Sequence, residues 1–129
     1  MRLLSSLALA LTLAGCGGGT DTAAFQQAVD LANAKESEAR ALAVEDPCTQ
    51  LSECGTVAFL SPLQSCATWT YKPYSLVSPT AAAASAAAVE QRKLAGQAGT
   101  LAPPSNVGCA AVVADPPSLS CSAGKCRAI

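Results

Sequence analysis

Residues 118–129 read SLSCSAGKCRAI, and this stretch predicts a β-hairpin. Two short runs of alternating polar and apolar residues flank Ala123-Gly124, a dipeptide that suits a two-residue turn. In that register Cys121 lies directly opposite Cys126. A disulfide between these two cysteines is then within reach, because cross-strand neighbours have a suitable Cα separation. The hairpin therefore favours a small domain that short strands and disulfides hold together.

The chain contains seven cysteines in 129 residues. Apart from Cys16, these are Cys48, Cys54, Cys66, Cys109, Cys121 and Cys126. Six cysteines in a small exported chain are typical of three structural disulfides, among fifteen possible connectivities. The alternative, a metal or redox site, lacks a C-x-x-C pair, and the spacings C-x5-C and C-x4-C match zinc and thioredoxin-type motifs poorly. We therefore expect structural disulfides, no metal and no cofactor.

A helix start signal stands at Asp46-Pro47, directly before the first of these six cysteines. Asp46 suits the N-cap and Pro47 the first helical position, so a short helix is predicted over 47–54. Six residues of helix rotate by about 600°, so Cys48 and Cys54 would point in different directions. We expect them to bond to different partners.

Two strands are predicted after this helix, over 56–60 and 67–71, with a turn over 61–63 between them. In the second strand Trp69 and Tyr71 alternate with polar residues. We expect these two strands to form an antiparallel pair.

An alanine-rich helix is predicted over 80–95, with Gly96 as its C-terminal stop. Its large apolar residues are Val89 and Leu94. A helix with so few large side chains buries little apolar area, so we expect it to be loosely attached. A further strand is predicted over 107–113, after a loop rich in glycine and proline.

The N-terminus has the pattern of an export signal. Arg2 is followed by a mostly apolar run over 3–14, which is too short to span a bilayer as a helix. The run ends in Leu13-Ala14-Gly15-Cys16, and this ending resembles the lipobox of bacterial lipoproteins. The resemblance implies cleavage before Cys16 and attachment of acyl chains, such as palmitate, to that cysteine. The alternatives are an ordinary signal peptide that ends in cysteine and a retained membrane anchor.

The residues after Cys16 bear on which membrane, inner or outer, would hold the lipidated chain. Gly17 stands where an aspartate would retain an enterobacterial lipoprotein at the inner membrane. The resemblance therefore implies the outer membrane, with the protein facing the periplasm. Residues 16–20 include three consecutive glycines and predict a flexible tether.

A helix without glycine or proline is predicted over 21–45. Phe25, Val29 and Ala32 fall on one face, but this apolar stripe is thin and mostly alanine, which predicts a solvated stalk. The alternative is a coiled-coil segment that joins several copies of the chain. It is disfavoured because Glu36 interrupts the apolar face where another apolar residue is needed.

The cysteine-rich region carries a second resemblance. Its landmarks in chain order are Pro47-Cys48, Cys54, Ser65-Cys66, Tyr71-x-x-Tyr74-Ser75, Cys109, Asp115-Pro116-Pro117, Cys121 and Cys126. They resemble a small, cysteine-rich domain of bacterial secreted proteins and lipoproteins. Ala67 and Thr68 depart from that pattern, which commonly has glycines after the third cysteine. The resemblance implies a disulfide fold and no enzymatic activity.

The composition argues against several classes of function. The chain has 8 Lys and Arg against 9 Asp and Glu, so it lacks the basic excess that binding to nucleic acid requires. It has no histidine, which removes Ser-His and Cys-His catalysis and every zinc site that uses histidine. Its carboxylates fall mostly on predicted solvated helices or in caps and do not form an acid–base pair. We therefore expect a protein that is not an enzyme.

The aromatic residues Trp69, Tyr71 and Tyr74 are the candidate contact surface. On a strand, Trp69 and Tyr71 face the same side, and an uncovered aromatic face is suited to binding a partner. The alternative is that these side chains pack in the core, because the chain has few other large residues.

Together these patterns predict an α+β protein with a short antiparallel sheet. We expect a signal peptide over 1–15, a tether over 16–20, a helical stalk over 21–45 and a cysteine-rich domain over 46–129. The expected function is that of a noncatalytic envelope protein, anchored in the membrane through Cys16, that binds an unknown envelope protein or ligand. The alternative is an inhibitor or ligand-sequestering lipoprotein that acts through an exposed loop.

Overall fold

The computed structural model describes residues 20–62, 68–103 and 114–129. In chain order its elements are helix α1 (Thr20–Leu42), a 3-10 turn (Leu51–Glu53), strands β1 (Cys54–Leu60) and β2 (Trp69–Ser75), helix α2 (Ala81–Leu101), and strands β3 (Leu119–Ser122) and β4 (Lys125–Ala128). The strands form two antiparallel pairs, β1 with β2 and β3 with β4. The predicted α+β class is confirmed. No helix within these three segments is long and apolar enough to cross a membrane.

The predicted antiparallel pair is present as β1 and β2, and β2 continues past residue 71 to Ser75. It does so through Pro73, which has no backbone N–H. The N–H of Ser75 points away from β1 and donates to the carbonyl of Val44 over 2.7 Å. Pro73 lies two residues earlier and shares that direction, so its missing N–H costs no bond to β1.

The two faces of this sheet have different surroundings. Cross-strand partners share a face, and Val57 pairs with Lys72 while Phe59 pairs with Thr70. Val57, Phe59 and Tyr74 are buried on this inner face, against the two helices. The outer face carries the alternate residues of each strand, which are half-buried except for the fully buried Ser75.

The core between the inner face and the helices is built mainly from alanine. Its members are Ala39, Ala43, Val57, Phe59, Tyr74, Ala81, Ala84, Ala87 and Ala88, with Leu42 packed against them. The expected loose attachment of α2 is wrong, because its alanines form the contact instead of its large residues. Val89 is 53% exposed, whereas Ala84 is fully buried. Small side chains allow the two helices to approach closely.

The helix α2 does not stop at Gly96 as predicted but continues to Leu101. Ala95 and Ala98 are buried on either side of Gly96, so the extra turn is still packed against the molecule. This burial offsets the cost of about 1 kcal/mol that glycine carries in a helix. The helix ends just before Pro103, which cannot continue it.

The predicted solvated stalk is not seen, because α1 packs along α2 and the sheet. Val29 is 1% exposed and Ala32 is fully buried. Near the end of α1, the Arg40 guanidinium lies 4.3 Å from the centre of the Phe59 ring. The Lys72 ammonium donates to the carbonyl of Arg40 over 2.7 Å. The thin stripe is sufficient for packing because the facing helix is also made of alanine.

Side chains of α2 bind the edge of β1 that faces away from β2. Gln91 is fully buried, and its amide both accepts from the N–H of Leu60 over 3.0 Å and donates to the Leu60 carbonyl over 2.7 Å. Arg92 donates to the carbonyl of Ala58 over 2.9 Å. The helix therefore supplies β1 with the hydrogen bonds that a third strand would make.

The helix predicted over 47–54 is wrong except for the single 3-10 turn Leu51–Glu53. Its first residues instead run beside the hairpin of β3 and β4. The N–H of Cys48 donates to the carbonyl of Gly124 over 3.0 Å, and the N–H of Cys126 donates to the carbonyl of Glu45 over 2.8 Å. These bonds to a distant segment replace those of a local helix. Residue 63 of the predicted turn, residue 67 of the second predicted strand and the whole strand predicted over 107–113 lie outside the described residues.

Replacement of Val29 by alanine should measure how firmly α1 is attached. We expect Val29→Ala to lower the free energy of unfolding by about 2 kcal/mol, because it removes buried methyl groups from the helix contact. Leu31→Ala is the matched control on the same helix, since Leu31 is 53% exposed. Chemical denaturation followed by circular dichroism would measure both variants. Equal, small effects would favour the solvated stalk.

Candidate functional site

The hairpin predicted over 118–129 forms as β3 and β4, in the predicted register. Cys121 lies directly opposite Cys126. The turn residues Ala123 and Gly124 both have positive φ, 51° and 74°, as a two-residue turn of the type I′ class requires. The predicted two-residue turn is confirmed, and Gly124 suits its positive φ, whereas Ala123 adopts a positive φ that residues other than glycine rarely take.

The disulfide between Cys121 and Cys126 is not formed, and that prediction is wrong. Cys121 is bonded to Cys48, and Cys126 is bonded to Cys54, with Cα separations of 6.0 and 5.4 Å. The expectation that Cys48 and Cys54 have different partners is confirmed. The bonds run between segments because residues 45–48 lie beside β4 and bring Cys48 to the hairpin, and the chain then continues through the 3-10 turn to Cys54.

The remaining predicted cysteine sites cannot be placed on the fold. Cys16, the predicted lipidation site, and Cys66 and Cys109, the other predicted disulfide cysteines, lie outside the described residues. Their roles stay predictions.

The two disulfides form one compact group of sulfur atoms, which we call the sulfur cluster (Cys48, Cys54, Cys121 and Cys126). The Sγ atoms of Cys48, Cys54 and Cys126 all lie within 4.8 Å of one another. Cys121 adds the fourth sulfur through its bond to Cys48. Cys126 is fully buried and Cys48 is 5% exposed. Sequence reasoning missed this cluster because its members come from separate segments, and no short motif joins them.

A polar framework holds the segment between α1 and the 3-10 turn beside the cluster. Ser75 is fully buried, and its hydroxyl donates to the carbonyl of Pro47 while its N–H donates to that of Val44. The N–H of Leu76 donates to the carbonyl of Glu53 over 2.8 Å. The end of β2 therefore fixes the backbone on both sides of Cys48.

Glu53 closes the loop between the first two cysteines of the cluster. Its carboxylate accepts the backbone N–H of Thr49 over 2.6 Å and the Thr49 hydroxyl over 3.1 Å. The hydrogen bond from the Thr49 N–H is the main cause of a pKa of Glu53 below its ordinary value of 4.5. The negative charge is therefore favoured in the folded chain.

This lowered pKa predicts a loss of stability in acid. The folded-state pKa lies below the unfolded one, so the contribution of Glu53 is complete above the unfolded pKa and is lost as the pH falls through the folded pKa. We expect Glu53→Gln to reduce the slope of stability against pH between about pH 6 and about pH 3. Thermal unfolding across that range would measure both proteins. Parallel curves for the two proteins would contradict the role of this carboxylate.

The three aromatic candidates separate into two environments. Tyr74 is 7% exposed and packs in the core, so its assignment to a contact surface is wrong. It lies three residues after Tyr71, and a strand turns its side chains to opposite faces with a period of two. Trp69 and Tyr71 share the outer face with Leu60 and Ala58 and are half-buried.

The hydroxyl of Tyr71 is not free on this outer face. It donates to the carbonyl of Ala114 over 2.7 Å, which ties the sheet to the segment before β3. The indole of Trp69 and the side chain of Leu60 lie opposite each other at the end of the sheet. We call the group of Leu60, Trp69 and Tyr71 the aromatic face.

A second apolar surface was not foreseen from the sequence. Leu51, Leu76 and Val77 are 57%, 46% and 54% exposed. They lie on adjoining segments, because the N–H of Leu76 bonds to the 3-10 turn that contains Leu51. Nothing in their local pattern distinguishes them from core residues, so sequence reasoning could not find them.

Comparison of the chain with known protein families, with curated proteins and with solved structures gave no significant match.

Proposed function

We propose that this chain is a lipid-anchored protein of the bacterial cell envelope whose α+β domain is a noncatalytic binding module. The observation that supports the proposal most is the pair of disulfides, Cys48–Cys121 and Cys54–Cys126. Disulfides of this kind form and persist in oxidising compartments outside the cytoplasm. This agrees with the export signal and with the ending Leu13-Ala14-Gly15-Cys16, which resembles a lipobox.

The proposed anchor is the acylated Cys16. A chain with several acyl groups is held stably, whereas a single acyl chain gives reversible attachment. Because Gly17 follows the cysteine, we place the protein at the outer membrane, facing the periplasm. The tether over 16–20 would then join the membrane to the start of α1.

The proposed binding surface is the aromatic face, and its partner is an unknown envelope protein or ligand. Trp69 offers a large apolar ring with a polar N–H, a combination that is enriched where proteins meet. Tyr71 holds the strand in place through its bond to Ala114. The apolar residues Leu76 and Val77 follow the other end of β2 and would form a separate contact area.

Replacement of Cys16 by serine tests the anchor, because serine cannot form the thioether through which the lipid attaches. We expect Cys16→Ser to abolish incorporation of labelled palmitate and to release the protein from the membrane fraction or leave it as a precursor. Gly18→Ser, a change in the tether that leaves Cys16 intact, is the matched control and should behave as the wild type. Acyl labelling of the Cys16→Ser protein would overturn the proposal.

A photoreactive amino acid at position 69 tests the binding surface in the intact envelope. We expect crosslinks to a defined partner from position 69 and none above background from position 89, since Val89 is exposed on α2, away from the aromatic face. A crosslinked small molecule instead of a protein would favour the ligand-sequestering alternative. Equal crosslinking from both positions would contradict a specific face.

A further inference from the structure

The sulfur cluster brings together four potential metal ligands. Three of its Sγ atoms lie within 4.8 Å of one another, and the fourth is bonded to one of these three. A tetrahedral zinc site with Zn–S bonds of about 2.3 Å has its sulfurs about 3.8 Å apart. The cluster is therefore near the spacing of a metal site without a large movement of the backbone.

We propose that Cys48, Cys54, Cys121 and Cys126, once both disulfides are reduced, bind one thiophilic divalent cation such as Zn²⁺ as a tetrathiolate. This inference goes beyond the proposed function and does not depend on it. The disulfide and metal forms exclude each other, because a sulfur in a disulfide cannot act as a thiolate ligand. The site therefore responds to the redox state of its surroundings.

The hairpin gives two of the ligands a fixed geometry. Cys121 and Cys126 are directly opposite each other on adjacent strands, so their side chains leave the sheet on the same face. The poor match of the spacing C-x4-C to zinc motifs therefore matters less than the strand register. Cys48 and Cys54 complete the set from the segment that runs beside the hairpin.

Hydrogen bonds join these segments in the folded chain without using the sulfur atoms. The N–H of Cys48 donates to the carbonyl of Gly124, and the N–H of Cys126 donates to that of Glu45. Without the disulfides the fold is much less stable, so we expect the cation to bind as these bonds re-form. Metal binding is then coupled to folding of the reduced chain.

The chemistry balances with a dithiol reductant. Two equivalents of dithiol become two disulfides and supply four electrons and four protons, which convert the two protein disulfides to four thiols. Binding of one Zn²⁺ then releases four protons as the thiols become thiolates. Reoxidation reverses these steps: two equivalents of the oxidised dithiol take four electrons from the four thiolates and four protons from water, which forms the two protein disulfides and releases the cation.

Titration of the full chain in detergent with Co²⁺ tests the site. The chain is reduced without oxygen, the reductant is removed, and the absorption spectrum is recorded. We expect sulfur-to-cobalt charge-transfer bands and tetrahedral d–d bands that saturate at one equivalent and disappear when Zn²⁺ is added. The oxidised chain should show neither set of bands.

Two variants separate this cluster from the other thiols. Cys66→Ser with Cys109→Ser should leave the bands and the affinity unchanged, whereas Cys121→Ser with Cys126→Ser should weaken binding at least about tenfold. Absence of saturation at one equivalent in the reduced wild type would overturn the proposal, whether or not the variants fold. Bands that survive the loss of Cys121 and Cys126 with unchanged affinity would also overturn it.

Discussion

Loss of both disulfides of the sulfur cluster should lower the free energy of unfolding by about 7 kcal/mol, which is a large part of the stability of a small domain. The bonds join residues 73 and 72 positions apart. With one bond intact, the second closes a smaller ring made of residues 48–54 and 121–126. Its loss alone therefore costs about 3 kcal/mol, whichever bond it is, and the further loss of the remaining bond costs about 4 kcal/mol. The two effects are not additive.

A mutant cycle with alanine pairs measures this coupling. Cys48→Ala with Cys121→Ala removes one bond, Cys54→Ala with Cys126→Ala removes the other, and the quadruple variant removes both. Urea unfolding of all four proteins gives the free energies. If either pair alone unfolds the chain while the other has no effect, the shared-ring argument fails.

Truncation of Phe59, the largest fully buried side chain among the described residues, should cost about 3 to 5 kcal/mol. Phe59 is 1% exposed and packs between the sheet and the helices, and in a core made mainly of alanine few neighbours can move to fill its place. Phe59→Ala also removes the ring beneath the Arg40 guanidinium. We expect a lower midpoint of urea unfolding for this variant.

The control for this substitution is Val89→Ala, since Val89 is exposed on α2. Its effect should stay below about 0.5 kcal/mol. Phe59→Leu adds a graded comparison, because it keeps much of the apolar volume but loses the aromatic ring. If the Phe59→Ala protein has the same free energy of unfolding as the Val89→Ala protein, the contacts between the alanine residues of the helices, and not Phe59, account for the stability of the core.

Local chemistry predicted the elements whose cause lies within a few residues. Gly124 in the dipeptide Ala123-Gly124 predicted the hairpin turn, because glycine adopts without cost the positive φ that such a turn needs at its second central position. The alternation of polar and apolar residues around Trp69 predicted its strand. It also placed Trp69 and Tyr71 on one face, because side chains on a strand alternate with a period of two residues. In each case the deciding contacts lie between near neighbours.

Contacts between distant segments could not be read in this way. Gly96 is a local stop signal for α2, but packing of Ala98 against the molecule overrides it. Asp46-Pro47 signals a helix start, but the backbone of Cys48 bonds instead to the hairpin. The sulfur cluster follows from that same pairing, which is why the sequence predicted disulfides and not which cysteines they join.

The thin stripe on α1 illustrates a second reason for error. Its mostly alanine composition implied that the helix buries too little apolar area to pack stably against the domain. That reasoning holds when the partner surface is large and flat. Two helices that both present alanine can lie closer together, so each small side chain is completely enclosed. Ala32 and Ala84 are both fully buried. The partner surface, and not the stripe alone, decides whether such a helix is attached.

The binding of Gln91 to Leu60 has a consequence for copies of the chain at high concentration. A strand with free N–H and carbonyl groups along its side can recruit a strand from a neighbouring molecule and start aggregation. On β1 the polar groups of Leu60 and the carbonyl of Ala58 are already occupied by Gln91 and Arg92. A strand added at this position would have to displace the buried side-chain amide of Gln91. The helix α2 therefore disfavours self-association of the chain through this edge of β1.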